Sequence, residues 1–336
     1  MSRVGDGNAL RAAIVGAGWI AADHRAALRN LGHQLVAVCD VDRDRAEALA
    51  RGEARVYEDW RALLDAEELD ALWVTTPPRQ HAGPAVAAFD LGLPVYLEKP
   101  IARTMEDADA IVSAWQRAGV ACAVGYQWHA TEALETVEEI LAGQQPAALL
   151  GVSVGPTAAR PWFLDRAGGG GNILERGSHQ LDLLRAVAGA VTSVHAVAAE
   201  TLLAQSAGER GDIEDAATLL LRFANGAIGT IVVAWTREGQ PGTYSLDIVA
   251  ADATLHLELD PRFRLTGRAG GRDVQATMRI HPFERSVARF VDAAGSGDPS
   301  AVFCTPEDAR ETLRAALACE RSLLDGGRAV ELREIV

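Results

Sequence analysis

The chain has 336 residues, 49% hydrophobic and 23% charged, a globular balance in a length that favours two domains over one core. A formal charge of −14 excludes capture of nucleic acid or an anionic membrane by bulk electrostatics. The opening stretch, MSRVGDGNALRAAIVGAG, lacks the basic start, apolar run and cleavage site of a secretory signal. The uncharged run at 12–22 carries two glycines and is too short to span a bilayer. Cys39, Cys122, Cys304 and Cys319 show no metal-type spacing and read as buried thiols of a cytoplasmic protein without a structural zinc.

In chain order, an apolar run at 10–15 ends in glycine and is followed by a helical pattern at 19–31. QLVAVCD (34–40) predicts a second strand, with a helix at 43–50. ALWVTTPP (71–78) is a strand running into a proline turn, followed by a helix at 84–91. PVYLEKP (94–100) is a strand, 105–118 a helix, and VACAVGY (120–126) the last strand of the series. Buried strands alternating with helices imply a parallel sheet covered on both faces. The pattern changes near residue 145. A helix at 172–188 precedes strand-like runs at 191–199, 215–223, 227–235, 243–250, 254–259 and 273–280, some separated by Asn225-Gly226 and Pro241-Gly242 turns. That succession predicts a large, mostly antiparallel open sheet. Helices at 282–294 and 306–325 close the chain.

AIVGAGWIA (13–21) is a Gly-x-Gly-x-x-Ala turn between a strand and a helix, the arrangement of a dinucleotide-binding Rossmann domain. Gly16 permits the tight turn, and Gly18 lets backbone approach a pyrophosphate. Trp19 and Ile20 start the helix whose N–H groups face the phosphates, and Ala21 keeps helix and strand close. Asp40 ends the second strand 22 residues after Gly18, where an acid binds the adenosine ribose and repels a 2′-phosphate. NAD is therefore favoured, although Arg43 and Arg45 keep NADP open, and Asp40 could instead cap the helix begun by DVDRD. The expected α/β fold has a Rossmann domain over 1–126. A second α/β domain follows over 127–336, with a C-terminal helix free to pack back on the first.

GGGGNILERGSHQLD (168–182) runs four glycines into a helix with Glu175, His179 and Asp182 at i, i+4 and i+7. At about 100° per residue they fall within roughly 60° of one face, opposite Ile173, Leu174, Leu181 and Leu184. Such a stripe is either a solvated face with a Glu–His pair or a site.

In order along the chain, the glycine turn, TTPPRQH (75–81), GLPVYLEKPIA (92–102) and the histidine helix resemble the Gfo/Idh/MocA oxidoreductases over nearly the whole length. This family is named for glucose–fructose oxidoreductase and inositol dehydrogenase. The resemblance implies Lys99 as the catalytic lysine, Glu98 as the acid orienting it, and His179 as general acid/base. Glu175 takes the place of the aspartate in the family's Asp-x-x-x-His motif, one methylene longer. Cofactor contacts are implied for Thr75, Thr76, Pro77, His81, Glu98 and Lys99, with Tyr126 bordering the nicotinamide. YQWHA (126–130) departs from the arginine and proline that many members carry there, leaving Trp128 and His129 without an assigned role. The resemblance also implies a homodimer or homotetramer built through the C-terminal sheet.

Lys99 is the only lysine, beside 31 arginines. Arginine matches a surface lysine in charge and stem, but its planar fork cannot share a proton with an alcohol oxygen as an amine can. The expected activity is hydride transfer between NAD and a secondary alcohol or ketone of a sugar, cyclitol or related polyol. Lys99 polarises the oxygen, and His179 exchanges the proton near neutral pH. An NAD-dependent glycoside hydrolase of the same fold and a non-catalytic dinucleotide-binding regulator are the alternatives. Trp162 and Phe163 are candidates to stack on a sugar ring, and Arg160 and Arg166 to hold an anionic substituent; each reads equally as loop packing.

Overall fold

The computed structural model describes residues 9–156, 164–200 and 213–336. The chain forms two compact units: residues up to Tyr126 together with Phe283–Arg310, and Gln127–Pro282 together with Glu311–Val336.

The first unit is built on six strands: β1 (Arg11–Val15), β2 (Gln34–Cys39), β3 (Arg55–Tyr57), β4 (Ala71–Val74), β5 (Val95–Leu97) and β6 (Cys122–Val124). They pair in parallel in the order β3-β2-β1-β4-β5-β6, the doubly wound order of a Rossmann domain. β4 and β5 are buried at every residue, as strands covered on both faces must be. The covering helices are α1 (Trp19–Asn30), α2 (Arg43–Ala50), α3 (Trp60–Ala66), α4 (Ala82–Asp90) and α5 (Met105–Ala118). Local chemistry sets their ends: Thr104 accepts from the Asp107 N–H at the start of α5, and Gly119 takes a left-handed φ of 63° after it. A returning helix, Pro282–Ser296, closes the core by packing Phe290 edge-on against Trp73 at 5.1 Å and Tyr96 at 5.5 Å.

In the second unit, helix α6 (Glu132–Leu141) leads to strand β7 (Ala148–Pro156). A short helix α7 (Arg166–Gly169), a π-helical turn (Ile173–Gly177) and helix α8 (Ser178–Ala188) follow. Then come β8 (Val191–Ala199), β9 (Ala216–Phe223), β10 (Ile228–Thr236), β11 (Thr243–Val249), β12 (Ala253–Asp260), β13 (Arg264–Ala269) and β14 (Arg272–Thr277). The returning helix is α9. After α10 (Pro306–Leu324), the two-residue β15 (Val330–Glu331) pairs with β8. The nine strands lie in the order β14-β13-β12-β11-β7-β10-β9-β8-β15, antiparallel except for the parallel β7–β10 pair.

Helix α8 lies on one face of this sheet. Gln180 Nε2 donates to the carbonyls of Val152 (2.8 Å) and Ser245 (3.1 Å). A Cβ on Gly151 would stand 2.6 Å from Gln180 Oε1, and one on Gly229 3.1 Å from Leu184. Glycine at these strand positions makes room for the helix. Among the described residues, no helix is long and apolar enough to cross a membrane.

The expected strand at 273–280 is β14, Arg272–Thr277, while β3, β7, β13, α3 and α6 had no counterpart in the sequence reading. The expected helix at 172–188 is helical throughout, with a π-helical turn over Ile173–Gly177 inside it.

Candidate active site

Each unit carries its own cluster of the residues singled out by sequence. In the first, β1 delivers the chain into the glycine turn at the carboxyl end of the sheet. Gly16 has φ +102°, and a Cβ there would stand 2.6 Å from the Thr76 nitrogen. Only glycine lets the turn lie against the Thr75-Thr76 backbone. Thr75 seals that contact, its hydroxyl donating to the Gly16 carbonyl at 2.5 Å. Gly18 has an ordinary φ of −74°, and a Cβ there would meet nothing within 4 Å. Protein packing therefore does not demand a glycine at 18, whose Cβ position is open.

Two further features fit a dinucleotide. No side chain caps the start of α1, and a helix N-terminus of this kind suits an anion. The Thr76 hydroxyl is buried without a hydrogen-bond partner among the described residues. Trp19 stands exposed and Ile20 half-buried beside it, and Pro77 begins the turn that leads to His81.

Asp40 is not a helix cap: Asp42 caps α2, accepting from the Arg45 N–H at 3.2 Å. Asp40 instead accepts from the Ala17 N–H at 2.6 Å and the Asp42 N–H at 2.9 Å, which ties the glycine turn to the end of β2. Arg43 is engaged by Glu47 (2.8 Å) and Glu58 (3.3 Å), and Arg45 by Asp42 (3.0 Å). His81 is fully buried, with Nε2 2.8 Å from the Thr76 carbonyl and Nδ1 3.2 Å from that of Ile101. It fixes the 75–77 turn to the segment after Lys99, and burial lowers its imidazole below the usual range. With no exposed surface, it supports this end through those carbonyls, whereas the sequence reading had it touching cofactor.

Lys99 follows β5, at the sheet edge where ligands of open α/β sheets bind. Its peptide bond to Pro100 is cis. Beneath it, Glu98 Oε2 accepts the Lys99 backbone N–H at 3.1 Å, and Oε1 meets Nε2 of the wholly buried His24 at 2.8 Å. Burial pushes the Glu98 carboxyl up, but the His24 hydrogen bond and the charges of His24 and Lys99 outweigh it and hold the group below the ordinary range. A Cβ on Gly125 would stand 3.0 Å from Glu98, so this carboxylate is tightly enclosed. His24 lies 74 residues away, one helical turn beyond Ala21, and no sequence pattern pointed to it. Tyr126, buried, ends this part of the unit.

In the second unit, Gly170 and Gly171 take φ values of +81° and +80°. A Cβ on Gly171 would crowd Glu214, whose carboxylate accepts the Ile173 N–H at 3.0 Å and pairs with Arg166 at 2.9 Å. Glu214 thus caps the helical segment from far along the chain. Arg166, proposed from sequence as a holder of substrate anion, is balanced by Glu214 and by Glu320 at 3.7 Å. Trp162, Phe163 and Arg160 lie outside the described residues.

Glu175 lies on the π-helical turn and His179 in the first turn of α8, both half-buried. Asp182, unlike them, is not solvent-facing. It is buried, with Oδ2 3.2 Å from His129 Nδ1 and Oδ1 accepting from Thr312 at 3.3 Å. Trp128 packs on the His179 ring at 5.0 Å. All four cysteines are free and buried, and burial pushes the Cys39 thiol up to about 12.

Residues 10–126 match the Gfo/Idh/MocA family model described as an oxidoreductase family with an NAD-binding Rossmann fold; residues 149–271 match that for the family's C-terminal domain. The D-apiose dehydrogenase of Paraburkholderia graminis is 28% identical over 97% of this chain and 90% of its own. The D-glucoside 3-dehydrogenase of Escherichia coli is 34% identical over 65% of this chain and 68% of its own. A levoglucosan dehydrogenase solved with NADH and levoglucosan shares the fold with a TM-score of 0.83 at 18% identity, covering 97% of this chain and all of that one. UDP-N-acetylglucosamine 3-dehydrogenase of Acidithiobacillus ferrooxidans does so with 0.79 at 24%, covering 94% of this chain and 98% of that one.

Proposed function

From the premise that the chain belongs to the Gfo/Idh/MocA oxidoreductases and carries their NAD-binding Rossmann fold, we propose that it oxidises a secondary alcohol of a sugar, cyclitol or related polyol, or reduces the matching ketone. One observation carries the reading furthest: the sole lysine follows a central strand at its carboxyl end, above a buried carboxylate. NAD, when bound, supplies the hydride acceptor. The Lys99 ammonium stabilises the negative charge that grows on the substrate oxygen. His179 takes the hydroxyl proton, and Glu175 favours the imidazolium that results. The relatives named for apiose and glucosides support a carbohydrate-like substrate. A panel of sugars, cyclitols and keto sugars assayed for NADH change tests this; no turnover with any of them, by a protein that binds NAD, would refute it.

Within this reading, Glu175→Gln weakens turnover less than His179→Ala, because it keeps length and an acceptor oxygen. The reverse order would make the glutamate the proton acceptor. Asp40 selects NAD over NADP, a preference supported by the engagement of Arg43 and Arg45 with carboxylates. Calorimetric titration with both cofactors checks it, and tighter NADP binding would refute it. Four buried thiols support a cytoplasmic setting, and the resemblance supports a homo-oligomer assembled through the second unit's sheet.

A further inference from the structure

The turn at 127–130, where the chain departs from the family's arginine and proline, is clamped to the histidine helix at two adjacent residues. Trp128, buried, sets its indole 5.0 Å from the His179 imidazole with the rings tilted by 44°. His129 meets Asp182, three residues beyond His179, at 3.2 Å. The indole also packs on Tyr244, 5.8 Å away at 59°. Tyr244 is held in turn from the π-helical turn: Arg176 Nη1 donates to its hydroxyl at 2.8 Å, and Nη2 donates to the Pro156 carbonyl at 2.8 Å. A Cβ on Gly155 would stand 2.1 Å from the Tyr244 hydroxyl and 2.7 Å from Arg176 Nη1, so the strand is cleared for this contact. The path Arg176, Tyr244, Trp128, His179 starts and ends on the same short stretch of chain.

We infer that Trp128 is a positioning residue for His179, fixing the orientation of its imidazole through this loop of contacts. The inference rests on the acid/base role proposed for His179. The χ2 torsion of histidine is broad, so the ring needs an external wall to hold one orientation. Proton transfer needs a reach of about 2.6–3.2 Å, and a misplacement of about 1 Å costs on the order of 100-fold in rate. A flat indole packed against the ring at 5.0 Å supplies such a wall.

The test compares Trp128→Phe, which keeps a flat ring, with Trp128→Leu, which does not. The phenylalanine variant is expected to stay within about 3-fold of normal kcat, and the leucine variant to lose about 10- to 100-fold with KM for NAD unchanged. In nuclear magnetic resonance, the His179 ring signal, assigned by its loss in His179→Asn, should broaden or shift in Trp128→Leu while other histidines stay put. Normal kcat and an unmoved ring signal in Trp128→Leu would overturn the inference. So would equal losses in both variants that follow their thermal midpoints. If His179→Asn retains turnover, the acid/base reading fails, and the ring signal alone then decides whether Trp128 positions the imidazole.

Discussion

Arginine supplies every cationic side chain here apart from the histidines and Lys99, so the amine at position 99 is a chemical choice and not a need for charge. Lys99→Arg is expected to keep the fold and NAD affinity while losing on the order of 10² to 10⁴ in kcat, with Lys99→Met at least as damaged. Steady-state kinetics on variants checked by circular dichroism decide it; near-normal turnover in the arginine variant would make Lys99 a surface residue. An amine-selective reagent can reach only Lys99 and the N-terminus, and NAD plus substrate should protect against it. His81 adds a pH signature. Burial lowers its imidazole, so the folded chain refuses a proton that the unfolded chain accepts. Its share of stability is whole above the unfolded value of about 6.5 and declines as pH falls below that. Urea midpoints should therefore drop between about pH 7.5 and about pH 5.5, with a smaller drop in His81→Asn. Equal drops would assign the effect elsewhere. Glu98 acts lower: its depressed carboxyl contributes stability above about pH 4.3 that is lost as pH falls further.

Two glycines of one turn separate fold from function at the scale of the β1–α1 element. Gly16→Ala would force a left-handed φ on alanine and drive its Cβ into the Thr75-Thr76 backbone, at a cost of about 2 kcal/mol or more. Gly18→Ala meets open space at a helix start and should cost within about 1 kcal/mol. The new methyl occupies the clearance a pyrophosphate would use, so NAD affinity should fall at least 10-fold. Thermal unfolding beside calorimetry checks both, and full NAD affinity in Gly18→Ala would remove the cofactor from this turn. This turn was legible because glycine spacing, strand and helix are all local. β4 and β5 were legible as unbroken apolar runs for the same reason. β7 and β13 were not, since ALLGVSVGP and RLTGRA carry glycines and polar residues that blur the alternation. In the stripe of Glu175, His179 and Asp182, the last residue is buried beside His129 and Thr312, contacts that its spacing does not announce. Glu98 with His24 and Glu214 with Ile173 were hidden because long-range contacts leave no periodic trace.

The sheet of the second unit sets its faces by strict alternation along β7, β9 and β10: odd positions pack inward, and even positions such as Leu150, Leu220, Ile228 and Val232 point outward. Val197 joins them from β8, paired with Thr218 across the strands. Their exposures run from 38% for Val232 to 54% for Val197 and Ile228, on neighbouring strands with few charges between them. Apolar side chains gathered in this way mark an interaction surface, since soluble monomers rarely leave such a patch uncovered. The rim is polar: Arg222 stands on β9, and His256 meets Asp247 at 2.7 Å across β12 and β11. An apolar centre with a polar edge on an open sheet suits a second copy of the same face, in keeping with the homo-oligomer implied by the family resemblance. Leu220→Glu with Val232→Glu places charges at the middle of that patch, on side chains that point away from the packed face of the sheet. Light scattering after size exclusion should find the wild type as a dimer or tetramer and the double variant as a smaller species, with NAD affinity unchanged because the mutations lie outside the Rossmann unit. An oligomer of unaltered mass would move the interface to another surface, and a monomeric wild type would leave this face to a different partner.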